Sequence, residues 1–143
     1  MRLLHYNKKP INIKTPLRLD ESGFGYFEPN TTTIDAVVDN LINCFSTKIG
    51  ERVMRPNFGS NLYSYIFEQS VADLKSKVNN EVRRVIATYF NGIQLIGVNV
   101  LTIEEDASAP QNGYRVIIKI KIPELGDDEA KTLSLDINGQ QKL

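Results

Sequence analysis

Residues Gly50 to Glu68 read G-E-R-V-M-R-P-N-F-G-S-N-L-Y-S-Y-I-F-E. Arg52 and Arg55 stand among the apolar residues Val53, Met54 and Phe58. Pro56 fixes its own φ and biases Arg55 toward an extended backbone. Gly50 and Gly59 bracket the segment where the chain must turn. The stretch reads as a rigid connector with a docking role.

Strong helical patterns lie on both sides of it. Ile34, Val37, Val38, Leu41, Ile42 and Phe45 follow the spacing of one apolar helix face. Thr32 with Asp35 resembles a capping box, so a helix is predicted over 33–48. Lys48 is expected to favour its C-terminal dipole, and Gly50 to close it. Ser60 or Asn61 is expected to cap a short helix carrying Leu62, Tyr65, Ile66 and Phe67. Ser70 with Asp73 opens a longer one, striped by Val71, Leu74, Val78, Val82, Val85, Ile86 and Tyr89. Lys75, Lys77, Asn79, Asn80, Arg83 and Arg84 fall mostly on the opposite face, a solvated one. Asn91-Gly92 supplies the stop.

Beyond Gly92 the period changes. Residues 93–103 are rich in Ile, Val and Leu and read as a strand. Residues 104–113 read as a hairpin loop with Pro110 and Asn112-Gly113. From Tyr114 to Ile122 the alternation is strict, with Tyr114, Val116, Ile118, Ile120 and Ile122 on one face. Glu124 to Ala130 is an acidic turn, and Thr132–Ile137 a third strand. Helices as a block before strands as a block indicate an α+β fold. Two main helices and a short one are expected on a mainly antiparallel sheet of three to four strands. The chain is expected to form a single domain, 1–143. Its parts are an extended arm at 1–30, a helical part at 31–92 and a β-meander at 93–143. The arm holds Pro10, Pro16 and Pro29, with Ile11, Ile13, Leu17 and Leu19 alternating with polar neighbours.

The 143 residues are 41% hydrophobic and 24% charged, with seventeen basic residues against seventeen acidic. Zero net charge argues against electrostatic binding of nucleic acid or a membrane and suits a component of an assembly. No apolar run is long enough to span a bilayer. Met1 to Pro10 lacks the apolar core of a signal peptide, so the chain is expected to be made in a cytoplasm. One cysteine, Cys44, excludes an internal disulfide and a cysteine-rich zinc site; it reads as a small buried hydrophobe.

Catalytic constellations are scarce. His5 is the single histidine, so no cysteine–histidine pair and no metal or cofactor site is expected. Gly23-Phe24-Gly25 lacks the helix start a phosphate loop needs. Glu28, Glu51 and Glu68 lie near Phe27, Phe58 and Phe67 and could form a glycosidase carboxylate pair. The alternative is that Glu51 and Glu68 pair with Arg52 or Arg55 and fix the loop. A carboxylate facing arginine stays ionised and makes a poor general acid. No enzyme activity is expected.

The ungapped run at Gly50–Gly59, continued by I-F-E at Ile66–Glu68, resembles the signature of the baseplate wedge proteins of contractile-tailed phages. That family is shared with contractile injection machines and type VI secretion baseplates, and the resemblance covers most of the chain. It implies a structural virion protein of the tail baseplate, assembled in the host cytoplasm in six copies around the tail tube. Its implied partners are other wedge proteins, the sheath subunit and the tail tube, with the first sheath ring templated on it. Some members carry a lysozyme-like label, so a peptidoglycan-degrading glycosidase is the second reading and a cytoplasmic adaptor domain the third.

The docking residues expected on this basis are Glu51, Arg52, Arg55 and Phe58 in the signature, and Leu133, Leu135 and Ile137 on an open strand edge. The 114–122 strand is the other candidate for that edge. Arg52 and Arg55 are expected to be held by carboxylates or by carbonyls ending the first helix. One departure stands out. Members of the family have an acid-proline-arginine triplet after a tyrosine ending the long helix. Aligned on Tyr89 and Ile93, this chain has Phe90, Asn91 and Gly92. Either the partner surface differs, or Arg83 or Arg84 supplies the charge.

Overall fold

A computed structural model describes residues 11–14, 17–19, 27–123 and 127–138, the side chains of 127–129 excepted. His5, the Gly23-Phe24-Gly25 run and Glu124 lie outside the described residues. The chain divides into two compact units, Met1–Asn43 and Cys44–Leu143, and the division falls inside the first long helix.

The first unit opens with a short antiparallel hairpin. Strand β1, Asn12–Ile13, pairs with β2, Pro29–Asn30, and a further bridge joins Leu19 to Phe27. Asn30 is buried and donates both to Asn12 Oδ1 at 2.9 Å and to Asp39 Oδ2 at 2.6 Å. Asp39 lies on helix α1, Thr33–Ser46, so one amide ties hairpin and helix. The start of α1 is the expected one: the Asp35 amide donates to Thr32 Oγ1 at 3.2 Å. Its end comes two residues earlier than the periodicity suggests. The Phe45 and Thr47 carbonyls are taken by the Ser60 hydroxyl at 2.7 Å and the Ser60 amide at 2.9 Å. Orphan carbonyls at a helix end need such partners. Lys48 is therefore outside the helix, bridged to Ser60 and 4.9 Å from the centroid of the Tyr63 ring.

The second unit contains a 3-10 helix, Leu62–Phe67, helix α2, Val71–Tyr89, and a three-stranded sheet. Neither Ser60 nor Asn61 caps the 3-10 helix with its side chain. Ser70 does cap α2, accepting from the Asp73 amide. Strands β3, Gln94–Leu101, β4, Gly113–Ile122, and β5, Asp127–Asn138, run antiparallel in the order β3-β4-β5. The 114–122 stretch is thus the central strand, not an edge. β5 begins at Asp127, earlier than expected, because the register shifts between Ile120 and Ile122 and extra residues are accommodated. A second bulge puts Ile96 between the paired residues Leu95 and Gly97. It reverses the parity of β3, so Leu95 opposes Ile120 while Val98 and Val100 oppose Ile118 and Val116.

One face of the sheet builds the core. Tyr114, Val116, Ile118, Ile120, Ile122, Leu133, Leu135 and Ile137 are buried, as are Leu74, Val78, Val82, Val85 and Ile86 of α2. Alternation on β4 and β5 places these side chains together. Tyr114 is the largest of the fully buried side chains, and its hydroxyl donates to the Leu62 carbonyl at 2.5 Å. Burial pushes that hydroxyl's pKa up, so it remains a donor. Cys44 is fully buried, and burial raises its thiol pKa, as a packing role requires.

Candidate docking site

The segment between α1 and the 3-10 helix is a set of nested turns. The Glu51 amide donates to the Lys48 carbonyl, and the Lys48 amide donates back to Glu51 Oε2 at 3.0 Å. The Gly50 amide reaches the Pro56 carbonyl at 2.7 Å, closing a small loop whose tip is 52–55. Gly50 and Gly59 both have positive φ, +90° and +119°. At Gly59 a Cβ would lie 2.4 Å from the Thr47 carbonyl oxygen, so only glycine lets the two backbones approach this closely.

Helix α2 clamps the loop from beneath. Glu81 is buried and accepts the Asn61 amide at 2.8 Å. Arg84 donates to both Glu81 oxygens, at 2.7 and 3.0 Å, and to the Gly59 carbonyl at 3.2 Å. Burial alone would raise the Glu81 carboxyl; the Arg84 and Asn61 hydrogen bonds outweigh it and hold the pKa below its ordinary value. The same Glu81 contact, opposed by partial burial, raises that of Arg84. One turn on, the Tyr89 hydroxyl donates to the Asn57 carbonyl at 2.6 Å, and its ring lies 5.3 Å from that of Phe58. Phe58 is half-buried and also lies under the Arg52 guanidinium, 4.5 Å from its centroid.

The clamp leaves the tip free. Val53 and Met54 are 93% and 92% exposed, an adjacent apolar pair flanked by exposed Arg52 and Arg55. Among the described residues the Arg55 side chain makes no hydrogen bond or ion pair. The carboxylates expected to hold these arginines are engaged elsewhere: Glu51 with the Lys48 amide and Glu68 with Lys77. The structure thus brings Glu51, Arg52, Arg55 and Phe58 into one loop, and places Leu133, Leu135 and Ile137 in the core. The side chains of those three residues are therefore packed inside the fold and do not face a partner.

The Phe90–Gly92 stretch lines an open groove of about 370 Å³ with Ile86, Ile93, Leu95 and Arg83. Arg84 is committed to Glu81 and Gly59, so Arg83 is the cation at this groove. Glu81 escaped sequence reasoning, although it lies three residues after Val78 and four before Val85, on the apolar stripe. A carboxylate on a buried stripe with an arginine three residues on was the available signal.

Solved structures share the fold. A Geobacter sulfurreducens protein, provisionally named a tail lysozyme, is 18% identical with a TM-score of 0.63, over 80% of this chain and 99% of its own. A chain of the anti-feeding prophage baseplate, determined by cryo-electron microscopy with six-fold symmetry, is 23% identical with a TM-score of 0.62, over 77% of this chain and 82% of its own. No curated protein sequence matches. The family model described as baseplate wedge protein gp25 matches residues 31–140. The chain belongs to that family, and its role is that of a structural baseplate component.

Proposed function

We propose that this chain joins wedge proteins around the end of a tail tube, in six copies, and templates the first ring of sheath. The observation that carries this reading is the loop tip. Val53 and Met54 project from a backbone clamped by Glu81, Arg84 and Tyr89. Exposing an apolar pair costs solubility, and holding it rigid reduces the entropy lost on docking. Arg52 and Arg55 beside it suit carboxylate-bearing partners through their planar forks. The open edge of β5 offers a second contact, to which an extended segment of a sheath subunit adds as a strand. At the groove beside Phe90–Gly92 the partner surface differs from the one met by the family triplet.

The chain acts without catalysis. Glu51 and Glu68, the carboxylates considered for glycoside cleavage, are engaged by different partners, the Lys48 amide and Lys77. The experiment that tests the reading is electron microscopy of tails assembled without this protein. Tubes lacking sheath and wedges support it. Complete sheathed tails, or clearing of peptidoglycan by the purified protein that Glu51→Gln or Glu68→Gln abolishes, would overturn it.

A further inference from the structure

Phe67 closes the 3-10 helix and is 85% exposed. A single apolar side chain at a surface carries little meaning by itself. Here the same chain also presents a cavity that suits it. Beside the signature loop, Pro56, Asn57, Phe58 and Tyr89 line an open cavity of about 310 Å³. Two of its walls are aromatic rings 5.3 Å apart and tilted, an arrangement that a third ring can join edge to face. Arg55, exposed and unpaired among the described residues, lines it as well.

A chain does not fill its own cavity with Phe67. Glu68, the next residue, is tied to Lys77. Lys77 precedes Tyr89 by twelve residues of α2, about 18 Å along the helix axis. Knob and cavity therefore sit toward opposite ends of α2, and both belong to the second unit. Their charges are opposite in sign. Around the knob, Glu68 and Asp73 both act on Lys77, two carboxylates against one cation. Around the cavity, Lys48, Arg52 and Arg55 stand against Glu51, a net charge of +2.

We propose that Phe67 of one copy seats in the Phe58–Tyr89 cavity of a second copy of the same chain, with Glu68 meeting Arg55 at its rim. The proposal rests on the reading that copies stand side by side around the tube, and it makes the neighbouring copy the partner of the signature loop. A buried aromatic anchor flanked by a charge pair is the usual form of an interface hot spot. Knob and cavity are different surfaces, so the contact is heterologous and closes into a ring when the rotation allows.

The test is sedimentation of the full-length protein, of Phe67→Ala and of Arg55→Glu, both positions being exposed. All three chains should share one melting temperature. The parent should self-associate with a Kd below about 1 mM, and each variant about tenfold more weakly or less. Arg55→Glu keeps the knob and Phe67→Ala keeps the cavity. An equimolar mixture of the two should therefore recover the parent's affinity and stop at a heterodimer. A parent that stays monomeric at about 1 mM, Phe67→Ala that associates like the parent, or a mixture no stronger than either variant alone overturns the proposal. Tails that assemble normally with Phe67→Ala overturn this contact alone; the baseplate role is overturned by complete tails formed without the protein.

Discussion

Glu81 Oε1 accepts both the Asn61 amide at 2.8 Å and Arg84 Nη2 at 2.7 Å, so one buried carboxylate joins the end of the signature loop to helix α2. Twenty residues separate Glu81 from Asn61. Removing the carboxylate leaves the Asn61 amide and the Arg84 guanidinium without their acceptor. Breaking a fully buried pair costs roughly 3–5 kcal/mol. Arg84 is 39% exposed at its side chain and water replaces part of the loss, so Glu81→Ala should cost about 2 kcal/mol. Thermal melting should fall by about 7 °C.

The pH dependence has a definite sign. The Glu81 carboxyl titrates below its ordinary value of 4.5 in the folded chain. A depressed carboxylate stabilises the fold above its unfolded pKa, and that contribution is lost as pH falls through the folded one. The parent chain should therefore lose melting temperature below about pH 4.5 more steeply than Glu81→Gln. Melts of both proteins from neutral pH down to about pH 3 measure the difference; parallel curves would show that Glu81 is not the group responsible.

Gly59 and Gly50 both have positive φ but differ in their surroundings. A Cβ on Gly59 meets the Thr47 carbonyl oxygen at 2.4 Å, whereas a Cβ on Gly50 meets nothing within 4 Å. Gly50→Ala should cost only the left-handed backbone penalty, about 1 kcal/mol. Gly59→Ala must also push the loop away from the end of α1 and should cost about 3 kcal/mol. Urea titration of the two variants tests the order, which equal midpoints would contradict.

Much of this architecture is legible in the sequence because it is local. Thr32 with Asp35 and Ser70 with Asp73 mark helix starts that the structure confirms. Strict alternation from Tyr114 to Ile122 identifies the central strand's buried face. What stays hidden depends on distant partners. The parity change at Ile96 exists only against β4, and the early start of β5 only against the shifted register at Ile120. The two arginines of the signature attract notice by their type. Yet the clamp is made by Glu81, Arg84 and Tyr89, whose partners, the Asn61 amide and the Gly59 and Asn57 carbonyls, are defined only once the loop is folded onto α2.

Arg55 is exposed, and among the described residues its side chain makes no hydrogen bond or ion pair. Arg55→Ala should therefore leave stability within about 0.5 kcal/mol of the parent. The same holds for Met54→Asp at the tip, where no packing is lost. If the tip docks on a wedge partner, both variants should lower incorporation into baseplates at unchanged melting temperature. A fall in melting temperature would mean that Arg55 braces the loop instead.

The edge of β5 needs a substitution that blocks strand addition without touching the core. Leu135→Pro fails this requirement because Leu135 is 8% exposed and faces inward; proline there would cost packing and ladder bonds together. Thr132 and Ser134 flank the buried positions and are exposed. Lysines at both positions follow the way natural edge strands are protected, by charge that an added strand would have to desolvate. Thr132→Lys/Ser134→Lys should melt within about 0.5 kcal/mol of the parent and join baseplates normally. If β5 accepts a sheath segment, sheath polymerisation on those baseplates should drop sharply, as counted by electron microscopy of assembled tails. Sheath of normal yield on the double variant would exclude the β5 edge as the template and leave the loop tip as the contact to pursue.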